Sequence, residues 1–236
     1  MPDPLRLYDE VRPPASWVAP GLALILDMDG VIVDSNPVHR QAWTLYNRSF
    51  GLETDEAMFE RMYGKRNDEI VRDYFGAHLS PEEVAAHGAA KERLYRRLMA
   101  DRLPEALVPG VREFLALHGG VDTALATNAE PANVEFVLET GGLRPFFRVI
   151  VDASTVRRPK PHPDIYLQAA RLLDAKPGNC IVFEDSQAGI AASRAAGMRT
   201  VGLLTTHPGL PGVDLAIEDF LDPELELWLR SQTTAP

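Results

Sequence analysis

The stretch Leu22-Ala23-Leu24-Ile25-Leu26-Asp27-Met28-Asp29-Gly30 decides how this chain is read. Five apolar residues without alternation leave no side for solvent, as in a parallel strand covered on both faces. The run stops abruptly at Asp27. In open α/β sheets the carboxyl ends of such strands carry the ligand site, so the polar residues that follow are candidates for chemistry. Aspartate and glycine also favour turns in their own right. The cluster therefore gains meaning only from what else reaches the same edge.

Working outward, the pattern after Pro109-Gly110 alternates between strand and helix. Strands are predicted at Asp122–Ala126, Arg148–Val151, Cys180–Phe183 and Thr200–Leu204. Helical spacing covers 111–118, 131–140, 163–173 and 187–196 between them. This order implies right-handed crossovers and an α/β fold, a Rossmann-like doubly wound parallel sheet. The stretch 36–106 has a different character. Pro37 can open a helix to Phe50, with Trp43, Tyr46 and Phe50 at helical spacing and Gly51 closing it. Asp55–Tyr63 and Asn67–Phe75 read as two more helices, separated by Gly64-Lys65-Arg66. Ser80-Pro81-Glu82-Glu83 is a capping box that opens a long helix to Arg102, on which Lys91 and Arg93 are read as covering the exposed face. The expected organisation is an N-terminal extension at 1–20, a core at 21–35 and 107–236, and an inserted all-helical cap at 36–106.

Composition narrows the function. With 236 residues the chain can build one core plus a smaller module, and its 45% hydrophobic and 25% charged residues are ordinary for a soluble domain. A formal charge of −10 argues against nucleic acid or anionic membrane as a partner. The opening Met1-Pro2-Asp3-Pro4 lacks the basic and apolar pattern of a signal peptide, and the longest apolar run is too short to span a bilayer. A cytoplasmic protein, monomeric or a small homo-oligomer, is expected. The lone Cys180 sits in an apolar strand and reads as a core residue.

Four polar clusters fall at the predicted strand ends: Asp27 with Asp29, Thr127 with Asn128, Lys160, and Glu184 with Asp185. Each alone has an ordinary explanation as a turn or a helix cap. Together they bring three aspartates, a glutamate and a single lysine to one sheet edge. Such carboxylates repel one another, and a hard divalent cation relieves the repulsion. Magnesium, which takes a few carboxylate oxygens along with water and phosphate, fits this set.

The order Asp27-Met28-Asp29-Gly30-Val31, Thr127-Asn128-Ala129, Arg158-Pro159-Lys160-Pro161 and Phe183-Glu184-Asp185-Ser186 resembles the four signature motifs of the haloacid dehalogenase superfamily. The inserted helices resemble the cap of its β-phosphoglucomutase-like branch, and the likeness covers residues 22–206. The resemblance implies that Asp27 attacks phosphorus and Asp29 acts as general acid and base. It also implies that Thr127 and Asn128 hold the phosphoryl group, that Lys160 balances charge, and that Asp27, Asp29, Asp185 and Glu184 serve the magnesium site. His39, four residues before Trp43, matches the histidine of the mutase cap, and Gly64-Lys65-Arg66 resembles its substrate loop with one residue fewer between glycine and arginine. Asp29 and the Glu184-Asp185 pair favour phosphoryl transfer over dehalogenation. The expected function is a magnesium-dependent phosphatase acting on a small phosphorylated metabolite, a sugar phosphate above all. A β-phosphoglucomutase and a catalytically idle phosphate-binding protein are the alternatives.

Overall fold

Strand β1 (Ala23–Leu26) turns Leu24 and Leu26 to one face of the sheet and Ala23 and Ile25 to the other, and all four are buried. The computed structural model describes residues 21–63 and 65–233. The extension expected at 1–20 lies outside the described residues, and so does Gly64. The further strands are β2 (Asp122–Ala126), β3 (Val149–Val151), β4 (Cys180–Glu184), β5 (Arg199–Leu203) and β6 (Leu215–Ile217). They form one parallel sheet in the order β3-β2-β1-β4-β5-β6. The chain thus leaves β1 toward one edge through β2 and β3, then returns to the other side through β4. The switch point lies at the carboxyl end of β1, between its two neighbours, where this architecture opens a crevice.

Helices cover both faces. On the face of Leu24 and Leu26 lie α6 (Val111–Leu117), α7 (Pro131–Thr140) and α10 (Pro223–Thr233), through Phe114, Val137 and Leu225 among others. On the face of Ala23 and Ile25 lie α8 (Asp164–Leu172) and α9 (Gln187–Ala195), which pack small residues such as Ala169 and Ala192 close to the sheet. The remaining helices are inserted between β1 and β2: α1 (Asn36–Arg48), α2 (Glu56–Met62), α3 (Asn67–Phe75), α4 (Pro81–Met99) and the short α5 (Leu103–Ala106). Trp43, Phe59, Met62, Ile70, Val71 and Val84 give this insertion an apolar centre of its own. Its base is continuous with the main core through Val38, Ala42, Tyr95 and Met99. The two connections to the insertion run side by side, joined by Asp34 N–H to Ala106 O at 2.8 Å and Val108 N–H to Ile32 O at 3.0 Å.

The structure corrects several boundaries. The long helix keeps its capping box at Ser80 but stops at Met99, because Pro104 opens the separate turn α5 and cannot extend α4. Helix α1 ends at Arg48, and Gly51 sits in the turn beyond it at φ +73°. Strand β6 and helix α10 were not expected. Three residues give too little periodicity to announce a strand, whereas α10 carries a readable signal, with Pro223 at its start and Leu225 and Leu229 buried four apart. Lys91 is buried instead of lying on the exposed face of α4, while Arg93 is exposed as expected.

Phe183 lies at the junction of β4 with the helices, with ring centroids 5.3 Å from Phe114 and 5.5 Å from Phe220. Phe183→Ala should cost about 3–5 kcal/mol in urea denaturation, as a large cavity in a packed core does. Leu227→Ala, at a side chain 70% exposed, should change stability by less than about 0.5 kcal/mol. Similar losses for the two variants would contradict this account of the core.

Candidate active site

The ladder between β1 and β4 runs one residue past the strand, with Asp27 N–H donating to Phe183 O at 3.1 Å. This places Asp27 beside Glu184 and Asp185. The chain then turns sharply at Gly30, which adopts φ +74°. A Cβ on Gly30 would stand 1.9 Å from Asp185 Oδ2, so the close approach of the two loops requires glycine here as much as the dihedral does. Thr127 follows β2, its N–H bound to Val151 O at 2.9 Å, and its hydroxyl oxygen accepts from Ala129 N–H at 3.1 Å. Lys160 enters from the loop after β3. Its backbone N–H donates to Asn128 Oδ1 at 3.4 Å, and its ammonium lies 3.0 Å from Asp27 Oδ2 and 2.5 Å from Glu184 Oε1.

Glu184 is fully engaged. Oε1 accepts from Lys160 and from the Tyr166 hydroxyl, while Oε2 accepts from Asp185 N–H at 3.1 Å, Ser186 N–H at 3.2 Å and the Ser186 hydroxyl at 3.0 Å. Asp185 accepts from the Thr206 hydroxyl and from Asn36 Nδ2 at 3.4 Å. Asp27 differs from both: its Oδ1 is buried and has no hydrogen-bond partner among the described residues. Leaving a buried carboxylate oxygen unsatisfied is costly, and an atom so placed is available to a ligand.

The electrostatics carry the same message. Burial pushes the Asp27 carboxyl up to about 7; Lys160 opposes this, while Glu184 and Asp29 reinforce it. Burial, with Glu184 and Asp27 nearby, drives Asp185 well above the usual carboxylate range. Burial disfavours the Lys160 charge, but Asp27 and Glu184 outweigh it and raise that group's proton affinity. One lysine is thus set against three buried carboxylates. Asp27, Glu184 and Asp185 each bring an oxygen within 4.8 Å of the others. An all-oxygen donor set of this kind, with Oδ1 of Asp27 unclaimed, suits a small hard cation.

The insertion closes over this edge, and the two enclose about 690 Å³ of space, part of it open to solvent. Asp29 Oδ1 accepts from the Ser35 hydroxyl at 2.5 Å and lies 3.5 Å from His39 Nε2 on α1. Burial raises Asp29, but the hydrogen bonds from His39 and the Ser35 hydroxyl prevail and hold it below its ordinary value. His39 is stacked on Tyr95, with centroids 3.8 Å apart, and its Nδ1 lies 3.2 Å from Lys91 Nζ. With Lys91 donating to Nδ1, Nε2 carries the proton directed at Asp29.

The candidates named from sequence separate into two groups. Asp27, Asp29, Thr127, Asn128, Lys160 and Asp185 meet along one wall of the pocket, with Glu184 beneath them, and His39 and Lys65 line the opposite side. Arg66 sits at the start of α3 and faces Asp68 at 3.4 Å. Lys91, Glu92, Asn67 and Asn133 also line the pocket and escaped the sequence reading. A signal for Lys91 and Glu92 was present: with Gly88, Tyr95 and Met99 they complete the buried stripe of α4, where charged residues are out of place.

The family model for haloacid dehalogenase-like hydrolases matches residues 22–197. A β-phosphoglucomutase of Bacillus subtilis is 32% identical over 212 residues, which are 87% of this chain and 92% of that protein. The fructose-1-phosphate phosphatase of Escherichia coli is 35% identical over 181 residues, 75% of this chain and 94% of its own. The crystal structure of a β-phosphoglucomutase from Clostridium difficile superposes with a TM-score of 0.79 at 27% identity, covering 89% of this chain and 97% of that one. A parallel sheet with paired carboxylates at its switch point, an inserted helical cap and a family match over most of the length agree on one conclusion: this chain belongs to the haloacid dehalogenase-like hydrolases, in their β-phosphoglucomutase-like branch.

Proposed function

We propose that this protein is a phosphoric monoester hydrolase that removes phosphate from a small sugar phosphate through an aspartyl-phosphate intermediate. The observation that carries the reading is the pair of oxygens on Asp27. Oδ2 is held by Lys160 at 3.0 Å, while Oδ1 is buried and has no partner among the described residues, in a residue that lines the pocket. A carboxylate fixed by one oxygen, with no protein donor claiming the other, is held ready for attack on phosphorus. Lys160 then offsets the charge that collects on the nucleophile and the phosphoryl oxygens. Thr127 and the Asn128 backbone N–H follow β2 and supply donors to the same group.

Asp29 is the proposed proton carrier. Its carboxyl is tied to Ser35 and His39, and a phosphoryl dianion arriving beside it raises its proton affinity, since like charge disfavours the ionised form. It can then protonate the leaving oxygen and afterwards take a proton from the water that cleaves the intermediate. Asp27, Asp185 and the Asp29 backbone carbonyl would hold a magnesium ion, with Glu184 adding its charge from within the same cluster. When bound, magnesium neutralises the clustered carboxylates and the phosphate. The similarity to a fructose-1-phosphate phosphatase supports a sugar phosphate as substrate. Likeness in sequence and fold to β-phosphoglucomutases supports a second reading, in which the phosphoryl group passes to another sugar hydroxyl.

With p-nitrophenyl phosphate as substrate, Asp27→Asn should remove essentially all turnover while leaving the circular dichroism spectrum intact. Retention of more than about a tenth of the activity, a barrier change below ~1.4 kcal/mol, would rule out attack by this residue. EDTA should silence the enzyme, magnesium should restore it, and Asp185→Ala should raise the magnesium concentration needed for half-maximal rate. Undiminished turnover in EDTA would refute the metal assignment. The choice between water and sugar as acceptor is read by supplying β-glucose 1-phosphate with a trace of the 1,6-bisphosphate and following both products. Free phosphate should dominate, and faster formation of glucose 6-phosphate would replace the hydrolase with the mutase.

A further inference from the structure

The part of the pocket lined by α4 belongs to the cap, and its charge is already balanced. Lys91 and Glu92 are neighbours on α4, buried to 1% and 3% exposure, and form an ion pair. Glu92 Oε1 also accepts from Asn67 Nδ2 at 2.8 Å, and Oε2 accepts from Asn133 Nδ2 at 2.7 Å. Asn133 belongs to the core helix α7, and its amide oxygen takes Arg96 Nη1 at 2.5 Å, which also meets Glu130 at 2.7 Å. Glu92 is therefore fixed from both sides of the cleft. Burial raises its proton affinity, but Lys91, with the Asn133 amide, outweighs this and holds the carboxyl at about 2, so it stays charged. Lys65, the other cap lysine on the pocket, faces Asp73 at 2.7 Å. Among the described residues lining the pocket, every lysine already faces a carboxylate.

We infer that Glu92 is a specificity-determining residue: it cancels the charge of Lys91, so the cap accepts an uncharged, hydroxyl-bearing leaving group and rejects a second phosphate. The inference rests on the phosphatase reading above and narrows its substrate class to monophosphates. A distal phosphate entering this part of the pocket would lose water and meet a carboxylate, while each lysine lining it among the described residues is already set against one. Hydroxyls fare differently. A lysine ammonium has three donors, of which Glu92 and His39 engage two, and the amide of Asn67 adds polar atoms on the same wall. Neutral polyol groups can therefore be recognised without disturbing the ion pair.

The test uses p-nitrophenyl phosphate turnover by the magnesium-loaded protein as the reporter. Two matched pairs are measured as competing ligands: fructose 1-phosphate against fructose 1,6-bisphosphate, and glucose 1-phosphate against glucose 1,6-bisphosphate. The wild type should bind the monophosphate of each pair at least about tenfold more tightly, since like-charge juxtaposition is costly at a closed site. Glu92→Gln should shrink that ratio several-fold by releasing the Lys91 charge, and Lys91→Met should enlarge it by leaving the carboxylate alone. Both affinities are taken on one preparation, so a partly folded variant leaves the ratio unchanged, and a purely structural role would not shift it in opposite directions in the two variants. Equal wild-type affinities, an unchanged ratio in Glu92→Gln, or shifts of the same sign in both variants would overturn the inference while leaving the phosphatase reading in place. Absence of p-nitrophenyl phosphate turnover would instead remove that reading, and this inference with it.

Discussion

One buried lysine set among three buried carboxylates is the constraint on which the rest of this molecule depends. Lys160 reaches Asp27 and Glu184 at once, and Asp185 follows Glu184 directly in the chain. Burying such a group is tolerable only when its members are held within hydrogen-bonding reach of one another. The sheet supplies that precision. Leu26 on β1 is registered against Phe183 on β4, so the next residues of the two strands emerge side by side. A slip of one residue would turn every side chain of β1 to the opposite face and break the apolar layers along with the site. Stability of the core and geometry of the chemistry therefore share one register, and neither can drift without the other.

Much of this was legible because the signals are short-range. An unbroken apolar run followed by Asp27 identifies a buried strand and its functional end, and the alternation after Gly110 identifies the crossovers. Boundaries that depend on tertiary contacts were not legible. Strand β6 consists of Leu215, Ala216 and Ile217 at the sheet edge, and it exists because β5 offers it a free side. Lys91 shows the limit most clearly. On a helical projection of an isolated α4 a lysine suggests solvent, and only the meeting of α1, α3 and α7 around it supplies His39, the Trp43 ring at 4.8 Å and a carboxylate fixed by Asn67 and Asn133. The two charges are adjacent in sequence, but the groups that bury and hold the pair come from other helices, so its burial is a property of the assembled fold.

The two halves of the pocket are built to different tolerances. On the core side the carboxylates, Thr127 and Lys160 sit at the ends of sheet strands or in the loops that follow them, and Gly30 leaves no room for a side chain against Asp185. On the cap side the residues come from four helices whose apolar centre, around Trp43, Phe59 and Val71, is distinct from the layers flanking the sheet. Substitutions within that centre can shift the cap without reaching β1 or β4, and effects of well-separated sites on stability are expected to add. The chemistry and the choice of substrate can therefore change independently of each other.

That independence is not complete, and the exceptions mark where the halves communicate. Asn36, the first residue of α1, reaches Thr206 at 2.6 Å and Asp185 at 3.4 Å. His39, one turn further along, reaches Asp29. Across the cleft, Glu92 and Arg96 on α4 meet Asn133 and Glu130 on α7. Each contact joins a cap helix to a core residue beside or within the site, and the connections at Ile32–Val33 and Leu107–Val108 run side by side, joined by Val108 N–H to Ile32 O. A rotation of the cap about those connections would break the polar bridges and also disturb the packing of Val38, Ala42, Tyr95 and Met99 against the main core. The closed pocket is held by polar contacts that water can replace when it opens, together with the apolar contacts at the base of the cap. In this arrangement the same bridges that complete the substrate pocket also decide how readily it opens.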